Sequence, residues 1–248
     1  MERNDGNAIM ISGHNLNTTI TGCDIRWTGD TAIASWGRTD ELGANGTRGM
    51  FANNDHPINT EISHNLIHEL GAFEKQSSMY FVAKTCETHV HDNVFFGGPR
   101  AGVNVNDGFC GGHRLHSNLI FDTCRESGDH GPFNSWDRQP FAMGPDEQPS
   151  PRVTEISQNF IFGDYDGVKA LDHDDGSSNY DDHSNVIFMG WGQKTFEPAP
   201  GRKHTWNSLF LFSDQILTEH GGEVNTTFAE VCLRPWGGGG SICWSCWC

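Results

Sequence analysis

Ile62-Ser63-His64-Asn65-Leu66-Ile67 is the phrase on which the fold turns, because it comes back. An apolar residue, two variable residues, Asn and then two or three apolar residues recur as Val90-His91-Asp92-Asn93-Val94-Phe95-Phe96 and Leu115-His116-Ser117-Asn118-Leu119-Ile120-Phe121. They recur again as Ile156-Ser157-Gln158-Asn159-Phe160-Ile161-Phe162 and His183-Ser184-Asn185-Val186-Ile187-Phe188. Weaker copies lie at Thr205-Trp206-Asn207-Ser208-Leu209-Phe210 and, with Cys23 in the Asn slot, at Ile20 to Ile25. From Asn65 the steps are 28, 25, 41, 26 and 22 residues.

A period near 25 with short strands and no amphipathic helix points to a solenoid. The reading is all-β: a parallel β-helix whose turns each give about three short strands, stacked at about 4.8 Å. Stacked Asn side chains then form an amide ladder, and the apolar pair after each Asn fills the bore. His64, His91, His116 and His183 are expected to point outward. Six or seven turns are countable. The long step contains residues 139–152, with four prolines, and reads as an inserted loop. The β-helix is expected over residues 1–232, with no polar capping unit at its N-terminal end, so the chain reads as a piece of a longer stack. The Gly/Cys/Trp-rich stretch 233–248 reads as a tail outside the fold.

Composition bounds the partners. Thirty-two acidic against 16 basic side chains give a net charge of −16, which argues against nucleic acid or an anionic membrane. No apolar run approaches the 18 or so residues of a membrane span. Met1 to Asp5 lacks the apolar core of a signal peptide. Three sequons, at Asn17, Asn45 and Asn225, lean toward an extracellular or secretory setting. The scattered Cys23, Cys86, Cys110, Cys124 and Cys232 read as small buried thiols. Cys243, Cys246 and Cys248 have thiolate-ligand spacing but no second pair, so no metal is assigned there.

Each repeat carries a second, more polar strand after its Asn. These are Ala101 to Asp107, Pro132 to Arg138, Lys169 to Asp175 and Gln193 to Glu197. Alternation sends Val103, Val105 and Leu171 inward and Asn104, Asn106, Asp172 and Asp174 outward. Asp107, Asp137, Asp172, Asp174, Asp175 and Glu197 would then form an acidic stripe. Carboxylates on adjacent turns or at i and i+2 fall in the range that glycosidases use. The loop Arg125 to Gly131 brings Arg125, Glu126, Asp129 and His130 over that face, and Trp136 suits stacking on a sugar ring. No cofactor is expected. The alternative is Ca²⁺ near Asp172–Asp175, because residues 164–182 hold seven Asp and one Lys.

The phrases Glu74 to Ser78, Gly98 to Gly108, Arg125 to Pro140 and Leu171 to Tyr180 resemble right-handed parallel β-helix proteins of the pectate-lyase-like superfold. The nearest group is the β-helix repeat proteins related to glycoside hydrolase family 141, over roughly residues 8 to 230. The resemblance implies a carbohydrate-active protein that hydrolyses a polysaccharide or oligosaccharide with paired carboxylates. The best matches are Asp129, Asp137, Asp172 and Asp174, with Arg100, Asn106, Asp107, Arg125, Glu126, His130, Trp136, Arg138 and Asp175 lining the substrate. Two other readings stand beside it. One is a Ca²⁺-assisted polysaccharide lyase using Arg100, Lys75, Arg125 or His130. The other is a glycan-binding module without catalysis.

Overall fold

The computed structural model describes residues 1–37, 55–107, 111–136, 152–164, 169–189, 192–196, 203–211, 217–220, 226–229, 231–234 and 242–244. The described residues are all-β, with no helix and so no helix long and apolar enough to cross a membrane. Three large parallel sheets carry almost all strands. The first sheet runs through Leu66–His68, Val94–Phe96, Leu119–Thr123, Phe160–Asp164, Val186–Phe188 and Leu209–Leu211. The second runs through Ile33–Trp36, Tyr80–Ala83, Val103–Asn106, Phe133–Trp136, Leu171–His173 and Gln193–Phe196. The third runs through Glu61–Ser63, His89–His91, Arg114–His116, Thr154–Ser157, Tyr180–His183 and Lys203–Trp206. From Thr19 onward the chain visits third, first and second sheet in rotation, so each strand pairs with its counterpart one repeat away. That order is compatible with a parallel β-solenoid. Residues Ile242–Trp244, inside the stretch set apart as a tail, run antiparallel beside Val231–Arg234 in the first sheet.

The Asn repeat makes a buried ladder. Asn65 donates through Nδ2 to Asn93 Oδ1, Asn93 to Asn118, Asn118 to Asn159 and Asn159 to Asn185, each at 3.0 Å. The same Oδ1 atoms accept the backbone N–H of the residue one step earlier. The second Nδ2 hydrogen goes to a carbonyl of the third sheet, as from Asn118 to Val90 at 2.9 Å. In the last copy the ladder slot belongs to Ser208, whose Oγ accepts from Asn185 N at 3.3 Å. Asn207 sits one residue short of it, because Leu209 is in register with Val186.

A corner precedes each rung. His64, Asp92, Ser117, Gln158, Ser184 and Asn207 all have φ between 47° and 57°, and Gly22 has φ 65°. A second left-handed corner follows four residues after the ladder position, at Trp27, Glu69, Gly97, Asp122 and Met189. A left-handed residue reverses the chain within one position, so a three-residue strand can turn into the next sheet.

The buried interior takes fewer side chains than the sequence suggests. In each of these first-sheet strands the second residue is the deeply buried apolar one: Ile67, Phe95, Ile120, Ile161, Ile187 and Phe210, all at most 3% exposed. The residue directly after each Asn lies outside instead. Leu66 is 38% and Phe160 42% exposed, which corrects the expectation that the apolar pair fills the bore. A strand of three residues has one inward position. The outer face is therefore apolar, and its rings stack along it, as Phe96 does on His68 at 4.7 Å and on Phe121 at 4.8 Å. On the third sheet His91 and His116 face out in register, with rings 5.0 Å apart. Of the cysteines, Cys86 is disulfide-bonded, and Cys23 is only half-buried, so neither is a thiol filling the bore. Cys124 is buried.

Candidate functional site

The outward column of the second sheet holds Asn104, Asn134 and Asp172 in register. The stripe foreseen as acidic is thus amide, amide, carboxylate along that column. Nor is it an open face: Asn104 and Asp172 are 0% exposed and Asn134 is 1% exposed. Alternation gives the direction of a side chain but not what lies over it. Asn134 Nδ2 donates to Asp172 Oδ2 at 3.0 Å, so Asp172 sits beneath the surface as an acceptor rather than standing in solvent.

Above this column is a cleft of about 260 Å³ lined by Arg100, Asn106, Asp129, His130, Asn134, Trp136 and Asp174. Two loops build its wall. Cys124 N donates to Arg100 O at 3.0 Å, Arg125 N to Gly98 O at 3.2 Å and Glu126 N to Pro99 O at 3.0 Å. These bonds bring the loop carrying His130 against the loop carrying Arg100. Cys124 Sγ also donates to His130 O at 3.1 Å. Gly131 lies so close to Lys169 O that a Cβ there would collide with it, so only glycine lets the loop settle onto the next strand.

Arg100 Nη2 donates to His130 Nε2 at 2.6 Å. Nε2 therefore accepts, and the ring hydrogen sits on Nδ1, 3.9 Å from Asp172 Oδ2. Asp129 Oδ2 lies 3.5 Å from Nε2 with its side chain 87% exposed at the mouth. Burial pulls the Arg100 guanidinium below its usual value, while Cys124, Asp129, Asp172 and Asp174 push the other way. One ligand atom each from His130, Asp172 and Asp174 falls within 4.8 Å of the others. Asp174 is held by its own N–H, which donates to Ser135 O at 2.9 Å.

The other expected residues are placed as follows. Asp107 is half-buried at a left-handed corner with φ 49°, its N–H donating to Trp136 O at 2.8 Å. Asp175 is half-buried in the turn after Asp174. Arg125 pairs with Glu69 at 3.2 Å and Asp122 at 3.0 Å, and Glu126 pairs with Lys75 at 2.9 Å. None of these four residues lines the cleft. Asp137 and Arg138 lie outside the described residues, as do Glu197 and residues 139–151 of the proline-rich insertion.

A fully buried polar network was missed. Ser135 Oγ is 3.0 Å from His173 Nδ1, and His173 Nε2 is 2.7 Å from Asp182 Oδ2. Gln193 Nε2 donates to the same Asp182 oxygen at 2.9 Å. The order Ser–His–Asp is that of a hydrolytic triad. All three are 0% exposed, so no substrate reaches the serine, and the network stiffens the strands behind the cleft instead. The signal was available: a His between outward Asp172 and Asp174 must itself point inward.

No family model, curated protein or solved structure matches the chain.

Proposed function

We propose that the protein is a right-handed parallel β-helix of about seven turns that acts on glycans as a glycoside hydrolase. In this reading Asp129 and Asp174, the two carboxylates lining the cleft, share the acid and base or nucleophile roles, and Trp136 offers a ring face to the sugar. The family likeness to β-helix proteins related to glycoside hydrolase family 141 stands on the sequence phrases alone.

The observation that carries the reading is the mixed polarity of unsatisfied atoms around the cleft. Arg100 Nε and His130 Nδ1 are donors, and Asn106 Oδ1 and Asn134 Oδ1 are acceptors, and none has a hydrogen-bond partner among the described residues. Buried polar groups left unpaired cost about 1–3 kcal/mol each. A polyol both donates and accepts, so its hydroxyls satisfy both kinds. A uronate carboxylate serves only the donors, and it meets Asp129 and Asp174 as like charges. A cleft of about 260 Å³ lies under the ~300–1,000 Å³ usual for drug-sized ligands, which suits one ring or a chain end.

The test is turnover of neutral aryl glycosides and a neutral glycan library. Asp174→Asn and Asp129→Asn should each lower turnover by about 10²-fold or more, with the circular dichroism unchanged. Release of product carrying a new C4–C5 double bond from a polyuronate would replace this reading with the lyase one. Glycan retention on an affinity gel without turnover would replace it with a binding module.

A further inference from the structure

We propose that His130, Asp172 and Asp174 form a binding site for a divalent transition-metal ion. The site itself is independent of the glycan reading.

The geometry is close to what an ion needs. Two ligand atoms bonded to one ion at about 2.1 Å lie at most about 4.2 Å apart. His130 Nδ1 and Asp172 Oδ2 are 3.9 Å apart, and the full set of three falls within 4.8 Å. Small side-chain rotations close the remaining gap. A second observation points to a ligand at the same place. Asn134 is 1% exposed and lines the cleft. Its Nδ2 is spent on Asp172, and its Oδ1 has no partner among the described residues. That amide oxygen is a ready neutral ligand, or an acceptor for a metal-bound water. The imidazole decides the class of ion. Ca²⁺ and Mg²⁺ take oxygen shells, whereas one imidazole with two carboxylates suits Zn²⁺, Mn²⁺, Fe²⁺ or Co²⁺.

Arg100 is the competitor. While it donates to Nε2 at 2.6 Å, the ring hydrogen occupies Nδ1, the nitrogen that faces Asp172. Metal on Nδ1 moves that hydrogen to Nε2, where Asp129 Oδ2 at 3.5 Å can accept it, completing a carboxylate–histidine–metal relay. Arg100 has to let go. The ion therefore binds against a cation that the glycan-ready cleft retains.

The test is calorimetric titration of the whole chain with Zn²⁺. One saturable equivalent is expected, undisturbed by excess Ca²⁺. Binding is lost in His130→Ala and in Asp174→Asn, is unchanged in His116→Ala on the third sheet, and tightens roughly tenfold in Arg100→Gln. That last effect is opposite in sign to what loss of a structural arginine would give. No saturable Zn²⁺ binding, binding that survives His130→Ala, displacement by Ca²⁺, or weakening in Arg100→Gln would each overturn the site. Zn²⁺ binding in a protein that hydrolyses no glycoside leaves the metal site standing and removes the hydrolase. Turnover without Zn²⁺ binding does the reverse.

Discussion

The side-chain amide of Asn118 donates to Asn159 Oδ1 at 3.0 Å across 41 residues of sequence, and Asn93 reaches Asn118 at the same 3.0 Å across only 25. An insertion between rungs leaves the rung spacing untouched, because the ladder and the parallel pairing on each side set it. Asn118 is also the acceptor for Asn93 N at 3.1 Å and a donor to Val90 O at 2.9 Å. Its removal strands several buried groups at once, at about 1–3 kcal/mol for each. Asn118→Ala is therefore expected to destabilise the fold by about 3–5 kcal/mol in denaturant titration. Asn185→Ser should cost only about 1–2 kcal/mol, because its neighbour in the ladder is already the hydroxyl of Ser208.

The corner before each rung gives a prediction of opposite sign. Gln158 holds φ 56°, a region that costs an ordinary residue about 1–2 kcal/mol. Glycine relieves that cost and gives back about 0.5–1 kcal/mol through the freer unfolded chain. Gln158→Gly should raise the midpoint of thermal unfolding by about 2–4 °C, and Gln158→Val should lower it, since a branched Cβ fits worst there. Equal midpoints for the two variants would remove the assignment of strain to this corner.

The ladder could be read from the sequence because a stacked amide leaves one residue type at one spacing. The corners could not, because His64, Asp92, Ser117, Gln158 and Ser184 share a backbone shape and no side-chain chemistry. The polar strands that carry Asn104 and Asp172 were found by alternation, which gave their direction correctly and their exposure wrongly. Alternation is a statement about one strand, whereas exposure depends on what the rest of the chain lays over it. The cleft wall was legible only as a dense loop. His130 reaches Arg100 because Gly131 fits beneath Lys169 O and because Cys124 ties two loops together, contacts that join distant parts of the sequence. In the buried interior, Asp182 stands in register with Ile156. A carboxylate in that slot is tolerable only with His173 and Gln193 beside it, and neither is its neighbour in sequence.

Acid should weaken the fold ahead of the carboxylate range. His113 is 2% exposed, and Thr88 N donates to its Nδ1 at 3.3 Å. Burial, with His89 adding to it, pulls its pKa down to about 4 from an ordinary 6.5. The folded value lies below the unfolded one, so the unfolded chain takes up the proton first as pH falls. Stability is full above about pH 6.5, declines between about 6.5 and 4, and levels off below, by on the order of 3 kcal/mol in all. His56, His89 and His116 are lowered chiefly by burial as well and act in the same direction. Denaturant titrations from pH 7 to 4 should show this fall. His113→Gln, which keeps an acceptor for Thr88, should flatten it, and an unchanged slope in that variant would move the cause to another group.

The cleft separates two aspartates that the sequence treats alike. Asp174 lines the cavity, whereas Asp172 lies 0% exposed beneath it and accepts from Asn134. An amide in place of Asp172 still offers Asn134 an oxygen, and side-chain amides stack on one another at 3.0 Å elsewhere in this fold. If glycan turnover depends on carboxylates that touch substrate, Asp172→Asn should cost less than about tenfold and Asp174→Asn about 10²-fold or more. The pH profile discriminates further. Removing a group that exchanges protons with substrate deletes one limb of a bell-shaped profile, while removing a positioning group lowers the bell and leaves both limbs. Asp174→Asn should therefore lose a limb and Asp172→Asn should keep both. The reverse pattern would put the chemistry on the buried residue and require the wall formed by Arg100 and His130 to open before a sugar can bind.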